Sequence, residues 1–351
     1  MSRYIIRRLL WMMVTLMVVS MITFGLMHAV PGGPFDQEKP VPKEQLANLN
    51  ARYHLNEPLA KQYAMYVSDI MLPRYSTVKP GTSVLEDYLF NIPVGKGWIE
   101  WMNFGPTYTS RSRTVNDIFK QQLPVSIQLG TMAFLLSFVI GVPLGIMAAL
   151  KQNTFWDYFG MSLAIFGVSV PVIVLGPILV WIFGVALKWL PPTGWGAKPP
   201  FVFGILPSHV DANYFKYALM PVIALGLGSS AILARLTRAS LLQVVREDYI
   251  RTARAKGLKE RLVITRHAMK NSMIPVVTIS GPLFAALVTG TFVTETIFGV
   301  PGMGRYFVTS ITNRDYPVIM GTILLYAILL VIANLFVDIV YAWLDPRIQY
   351  N

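Results

Sequence analysis

Residues 244–271 read VVREDYIRTARAKGLKERLVITRHAMKN, a basic, alanine-rich island in an otherwise oily chain. It lies between two runs, Tyr217–Ala234 and Asn271–Thr294, that contain no Lys, Arg, Asp, Glu or His. A helix needs about 20 apolar residues to cross a bilayer, and both runs are at or near that length. The island is therefore a connection between two spans. Applied outward, the same test finds four more uncharged runs: Leu9–Met27, Leu123–Leu150, Tyr158–Leu187 and Tyr316–Val337. Lipid offers free backbone groups no partner, so helices are the expected form. Composition agrees, with 54% hydrophobic and 14% charged residues, against about 25% charged in soluble domains. The expected fold class is an all-α polytopic membrane protein with six transmembrane helices.

The net charge of +12 would suggest nucleic-acid binding in a soluble protein. Its distribution points elsewhere. With the N-terminus inside, the cytoplasmic segments hold Arg3, Arg7 and Arg8, then ten basic against three acidic residues in 235–270. The balanced pairs Lys151/Asp157 and Arg347/Asp345 complete that side, whereas residues 30–122 carry ten basic and nine acidic residues. That asymmetry is the positive-inside pattern, with both termini cytoplasmic and no role for nucleic acid. A cleaved signal peptide is the alternative for the first run. The run exceeds the usual 7–15 residue apolar core, and no small-x-small site precedes Pro31, which favours a retained helix.

The chain thus divides into residues 1–29 (cytoplasmic N-terminus and first span), 30–122 (extracytoplasmic subdomain) and 123–351 (core with five spans and the cytoplasmic segment 235–270). In the outer subdomain, Leu46, Leu49 and Tyr53, then Leu59, Tyr63, Tyr66 and Ile70, recur at helical spacing. This predicts two short helices broken near Asn56-Glu57-Pro58. The following stretch, rich in Gly, Pro and aromatics, predicts irregular structure near the interface, as does a second outer loop, residues 188–216, whose tryptophans are expected at headgroup level.

Catalytic chemistry is missing. The absence of cysteine rules out thiolate chemistry, and the four histidines are scattered. No G-x-x-x-x-G-K-[ST] loop is present to hold nucleotide phosphates; the nearest string, IPVGKGW at 92–98, lacks the first glycine. Glu295, Asp338, Arg235 and His28 lie near span ends, where snorkelling or pairing between helices competes with a proton relay or ion site. Pro143, Pro171, Pro177 and Pro282, with Gly141, Gly145, Gly176, Gly281 and Gly290, break the spans. Such breaks suit a translocation path or plain helix packing equally well.

Within the island, Ala, Arg and Lys favour helix, Glu247 and Arg251 stand at i,i+4, and Gly257 is placed to end one helix before another starts near Lys259. A loop that only fixes topology requires neither Ala253 and Ala255 nor a helix-ending glycine, so the pattern points to a docking surface.

These residues resemble the membrane subunits of ATP-binding-cassette importers, specifically the binding-protein-dependent oligopeptide/dipeptide permeases. The family's cytoplasmic signature, E-A-A-x3-G-x9-I-x-L-P, aligns on Gly257. Ala253 and Gly257 match and Met269 nearly so, while Arg251, Thr252, His267 and Lys270 depart from it. R-T-A-R-A-K-G-L followed by R-H-A-M-K-N is similar to the peptide-permease branch itself. So are RYIIRRLL, PGGPFDQ, LNEPLAKQY, LARLTRASLLQVVREDY, TETIFGVPGMGRYF, NRDYP and LDPRIQY.

The resemblance implies a type I importer membrane domain with an enlarged outer loop, in which Leu72–Trp101 finds no counterpart. It implies that Arg251, Thr252, Ala253, Arg254, Ala255, Lys256, Gly257 and Leu258 form a coupling helix docked on a separate ATPase. ATP and magnesium would bind there, with no cofactor on this chain. A second, similar permease, two ATPase subunits and an extracytoplasmic solute-binding protein would complete a machine that moves peptides across a bacterial or archaeal cell membrane by alternating access. Pro143, Pro171, Pro177, Pro282 and Glu295 are the candidates for the substrate path. Relatives of this kind also carry nickel chelates or oligosaccharides, and an ion-coupled carrier or channel is the reading from a different class.

Overall fold

The computed structural model describes residues 2–35, 43–80, 87–110 and 112–344. The stretch LDPRIQY falls almost wholly outside them, as does 81–86 within Leu72–Trp101. Helix α1 (Ser2–Ala29) leads to α2 (Lys43–Arg52) and α3 (Leu59–Met71). Three strands follow: β1 (Arg74–Ser76), β2 (Phe90–Val94) and β3 (Gly97–Trp101). The core then comprises α4 (Val115–Leu150), α5 (Phe155–Ser169), α6 (Val172–Leu179, extended by a π-helical segment Val180–Ala186) and α7 (Ala212–Val244). Next come α8 (Asp248–Ala255), α9 (Glu260–Leu262, extended as a π-helical segment Val263–Ala268) and α10 (Met269–Ser272). The chain closes with α11 (Ile274–Val288), α12 (Phe292–Ile297), α13 (Gly304–Thr312) and α14 (Tyr316–Leu344).

Among the described residues, five helical stretches are long and apolar enough to cross a membrane: Ile6–Ala29, Val115–Leu150, Ala212–Val244, Ile274–Ile297 and Tyr316–Tyr341. The sixth expected span, Tyr158–Leu187, is not one straight helix. It is the pair α5 and α6, bent by 99° between Ser169 and Val172. Pro171 is the cause: it has no N–H to continue the ladder, and it drives Val170 to an extended φ −91°, ψ 108°.

Helices α4 and α7 form the central pair. A side chain on Gly145 would come within 2.5 Å of the Ala234 carbonyl oxygen, so the two backbones approach as closely as glycine permits. Gly141 abuts Ser230 and Leu233 of α7, Gly176 abuts Ile297, and Gly281 abuts Asn334 and Val337 of α14. These glycines are therefore packing devices. The capping box of Thr114 and Asp117 starts α4, and the Asp211 carboxylate accepts the Tyr214 N–H to start α7. Arg8 on α1 pairs with Asp338 on α14 at 3.0 Å, the helix-to-helix pairing foreseen for Asp338.

The two short outer helices occur where expected, but the stretch after them is not irregular. It forms an antiparallel sheet of order β1-β3-β2, with Phe90 opposite Trp101 and Ile92 opposite Ile99. Strands of three to five residues that pair out of sequence order leave too little periodicity to read. Trp195 also departs from the headgroup expectation. It is buried, stands edge-on to Tyr214 at 5.6 Å, and donates its indole N–H to Gln128 Oε1 at 3.2 Å.

Candidate functional site

The chain leaves α7 at Val244 and turns into α8 at Asp248. Ile250 and Ala253, three positions apart, share one helix face. They are buried in a cluster with Ala149 of α4, Leu241 of α7 and Val263, Ile264 and Ala268 beyond the turn. Fully burying an isoleucine contributes about 2 kcal/mol, so this face fixes α8 to the ends of two core helices. Gly257 then takes a left-handed φ of +72°, and a Cβ there would meet nothing within 4 Å. The turn needs glycine for its backbone angle, not for room. Arg254 closes it from above, its Nη2 and Nε lying 2.7 and 3.1 Å from the Glu260 carboxylate. The bidentate Arg254 guanidinium holds the Glu260 carboxyl below its ordinary value.

Arg251, Thr252, Arg254, Ala255, Lys256 and Gly257 are exposed together, and Leu258 is half-buried. Ala253 does not join them: at 4% exposure it belongs to the anchoring face, because helical geometry turns it under with Ile250. Arg251 pairs with Asp248 at 3.3 Å rather than with Glu247, which takes the N-cap position of α8 without a side-chain hydrogen bond to the helix. Two contributors went unread in the sequence. Ile250 is the anchor, legible in hindsight from its spacing to Ala253. Tyr249 receives the Asn271 side-chain N–H at 2.8 Å, tying α8 to the start of the next span.

Residues 141–350 match the family described as binding-protein-dependent transport system inner membrane component, and residues 1–84 match the N-terminal family of the same systems. The chain belongs to this family. It is 40% identical over 351 residues to the dipeptide transport system permease protein DppB of Bacillus subtilis, covering 100% of this chain and 99% of that one. It is 39% identical over 350 residues to the oligopeptide transport system permease protein OppB of Salmonella typhimurium, covering both chains in full. The fold is similar to that of the MetNI methionine ABC transporter in an inward-facing conformation, with TM-score 0.50 and 15% identity, covering 64% of this chain and 94% of that one. This inner membrane component is thus a multi-pass helical membrane protein with the architecture of a type I importer membrane subunit. Its family works with binding proteins and ATPases.

Pro143, Pro171, Pro177 and Pro282 are all exposed on this chain, on α4, at the α5–α6 bend, on α6 and on α11. A cleft of about 310 Å³ between α11, α13 and α14, lined by Ala286, Thr289, Phe307 and Tyr326, includes none of them. Glu295 lies inside the protein, 2% exposed. Its Oε1 accepts Ser126 Oγ at 2.8 Å and the Thr291 N–H at 3.3 Å, and its Oε2 accepts the Gly304 N–H at 2.7 Å. Ser126 in turn accepts the Met303 N–H at 2.8 Å. Gly302 is packed so closely on the carboxylate that a side chain there would overlap it. Glu295 is thus a clasp joining α4, α12 and α13, which the sequence could not show because two of its partners are backbone N–H groups and the third, the Ser126 hydroxyl, is 169 positions away.

A second tie also escaped the sequence reading. Asp157 at the start of α5, 2% exposed, receives both Arg238 Nε and Nη2 of α7 at 2.7 Å. His28 is accounted for by a hydrogen bond between Nδ1 and the Phe24 carbonyl and by ring contacts to Phe24 and Tyr316.

Proposed function

We propose that this chain is one permease subunit of an ATP-driven importer for peptides, passing substrate delivered by an extracytoplasmic binding protein across the cell membrane by alternating access. The observation that carries the proposal is the exposed helix, glycine turn and helix at 248–260, anchored rigidly to α4 and α7 in a chain without a phosphate-binding loop. Such an element transmits force from a partner, and the partner is the subunit that hydrolyses ATP with magnesium. The names of the two relatives above, matched over their whole length, supply the cargo class.

In this assembly a second, similar permease forms a heterodimer with the chain, two ATPase subunits sit below, and both termini are cytoplasmic. The basic surface of Arg251, Arg254 and Lys256 calls for an acidic groove on the ATPase. The four exposed prolines suit a path shared with the second permease, since they are not sealed inside this one.

The test uses the reconstituted complex, with ATP hydrolysis stimulated by peptide-loaded binding protein. Gly257→Arg puts a long charged side chain at a left-handed position on the docking surface. Stimulated hydrolysis and uptake are expected to fall about tenfold or more, the size of a typical coupling free energy, while the basal rate of the isolated ATPase is unchanged. Normal stimulation in the variant would remove the docking role.

A further inference from the structure

The three-stranded sheet turns its apolar face outward. Along β2, Phe90, Ile92 and Val94 alternate with Asn91 and Pro93, and the register sets Phe90 opposite Trp101, Ile92 opposite Ile99, and Ile99 opposite Tyr75. Tyr75, Phe90, Ile92, Val94, Ile99 and Trp101 therefore share one face, with Arg74, Ser76, Asn91, Pro93, Trp98 and Glu100 on the other. In a solvated antiparallel sheet the apolar face packs on the core and the polar face meets water. Here the apolar face is left uncovered, and the opposite face is mixed, with Arg74 and Pro93 exposed and Trp98 half-buried. Tyr75, Phe90, Ile92, Val94 and Trp101 are each between 42% and 57% exposed, while Glu100 on the opposite face is 5% exposed. Contiguous exposed apolar surface of this kind marks a binding face.

The position of the sheet selects the occupant. Trp101 Nε1 donates to the Met71 carbonyl at the end of α3. Helix α3 lies along α1, with the Tyr63 hydroxyl 2.8 Å from Ser20 Oγ and 3.3 Å from the Met17 carbonyl. Ser20 and Met17 are in the middle of the Ile6–Ala29 span, so α3 flanks α1 at bilayer depth. On its other side the sheet is held to the first turns of α4, where Lys120 Nζ binds Asp87 Oδ1 at 2.9 Å and the Tyr88 carbonyl at 3.0 Å. The exposed apolar surface continues from the sheet to Met71 and Leu72. Tyr and Trp beside aliphatic residues are the chemistry of the membrane interface. The face carries no carboxylate, and exposed Lys96 at the hairpin tip and Lys79 beyond β1 are placed for lipid phosphates.

We propose that this face is a membrane-interface anchor: the sheet lies on the leaflet at the end of the bundle opposite the docking segment, with Phe90, Ile92 and Trp101 entering the boundary between headgroups and acyl chains. The occupant is lipid, not a protein partner. The chain has no cysteine, which makes single-site labelling unambiguous. The permease complex, with cysteine-free partners, is placed in nanodiscs of phosphatidylethanolamine and phosphatidylglycerol. A bimane label is attached at Ile92→Cys or, on the opposite face, at Pro93→Cys. Both positions are exposed, so folding is not at issue. The label at 92 is expected to be quenched by lipids brominated near the headgroup and to be several-fold less sensitive to aqueous iodide than the label at 93. Equal iodide quenching at the two sites would overturn the proposal. So would protection of site 92 that arises without lipid quenching, whether constant, as from the second permease, or only when the binding protein is added.

Discussion

At the scale of single residues, the buried carboxyl of Asp315 shows how burial and hydrogen bonding compete. Its oxygens accept the Tyr108 N–H at 3.1 Å, the Thr109 N–H at 3.3 Å and the Thr109 hydroxyl at 3.0 Å, which fastens the loop before α4 to the start of α14. Burial nevertheless dominates and raises the pKa above its ordinary 3.8. The folded protein then holds this proton more tightly than the unfolded chain does. The stabilisation is complete below the ordinary value and is lost as pH rises through the raised one. Stability is therefore expected to fall with rising pH just above 3.8 through this group. Thermal unfolding measured across that window should show a flatter profile for Asp315→Asn than for the parent; an unchanged slope would assign the effect to other groups.

At the scale of elements, α8 is short and is held mainly by one apolar contact surface. Ile250→Ala removes the largest side chain of that surface and leaves a cavity, at a cost of about 2–4 kcal/mol. Since α8 is an appendage to the spans, the loss should appear as local opening. Amide exchange is expected to speed up in 248–256 while α4 and α7 stay protected, with stimulated ATP hydrolysis falling in parallel. Unchanged exchange would mean that the ion pair of Arg254 and Glu260, not the buried face, holds the element.

The same scale explains what the sequence made legible. Charge-free runs revealed the spans, and glycine after an Ala, Arg and Lys stretch revealed the helical turn, because both signals are local. Pro171 was legible as a break in its span, but the 99° bend was not, because absence of charge records length and not direction. The sheet was hidden because β1 pairs with β3 and not with β2, the next strand along the chain. In the segment 251–258, which the family resemblance singled out, only the helix face separates the exposed Arg251 and Lys256 from the buried Ala253.

At the scale of the whole molecule, the segment 248–260 and the far end of the bundle are joined through a few ties. Buried Ile250 and Ala253 bind the segment to α4 and α7, Arg238 and Asp157 bind α7 to α5, and Glu295 binds α4 to α12 and α13. A displacement at one end therefore reaches the other through elements that cannot easily slide, α4 and α7 being locked at Gly141 and Gly145. Glu295→Gln tests this arrangement at its most central point. The amide supplies one acceptor where the carboxylate has two, and its NH2 group must face either the Gly304 N–H or the Ser126 and Thr291 donors. An unmet buried donor costs about 1–3 kcal/mol. The purified complex is expected to melt several degrees lower, and protease is expected to cut more readily at 299–304, with the peptide concentration for half-maximal uptake unchanged. If the variant instead keeps its melting temperature and shifts that concentration, Glu295 contacts substrate, and the clasp is not its principal role.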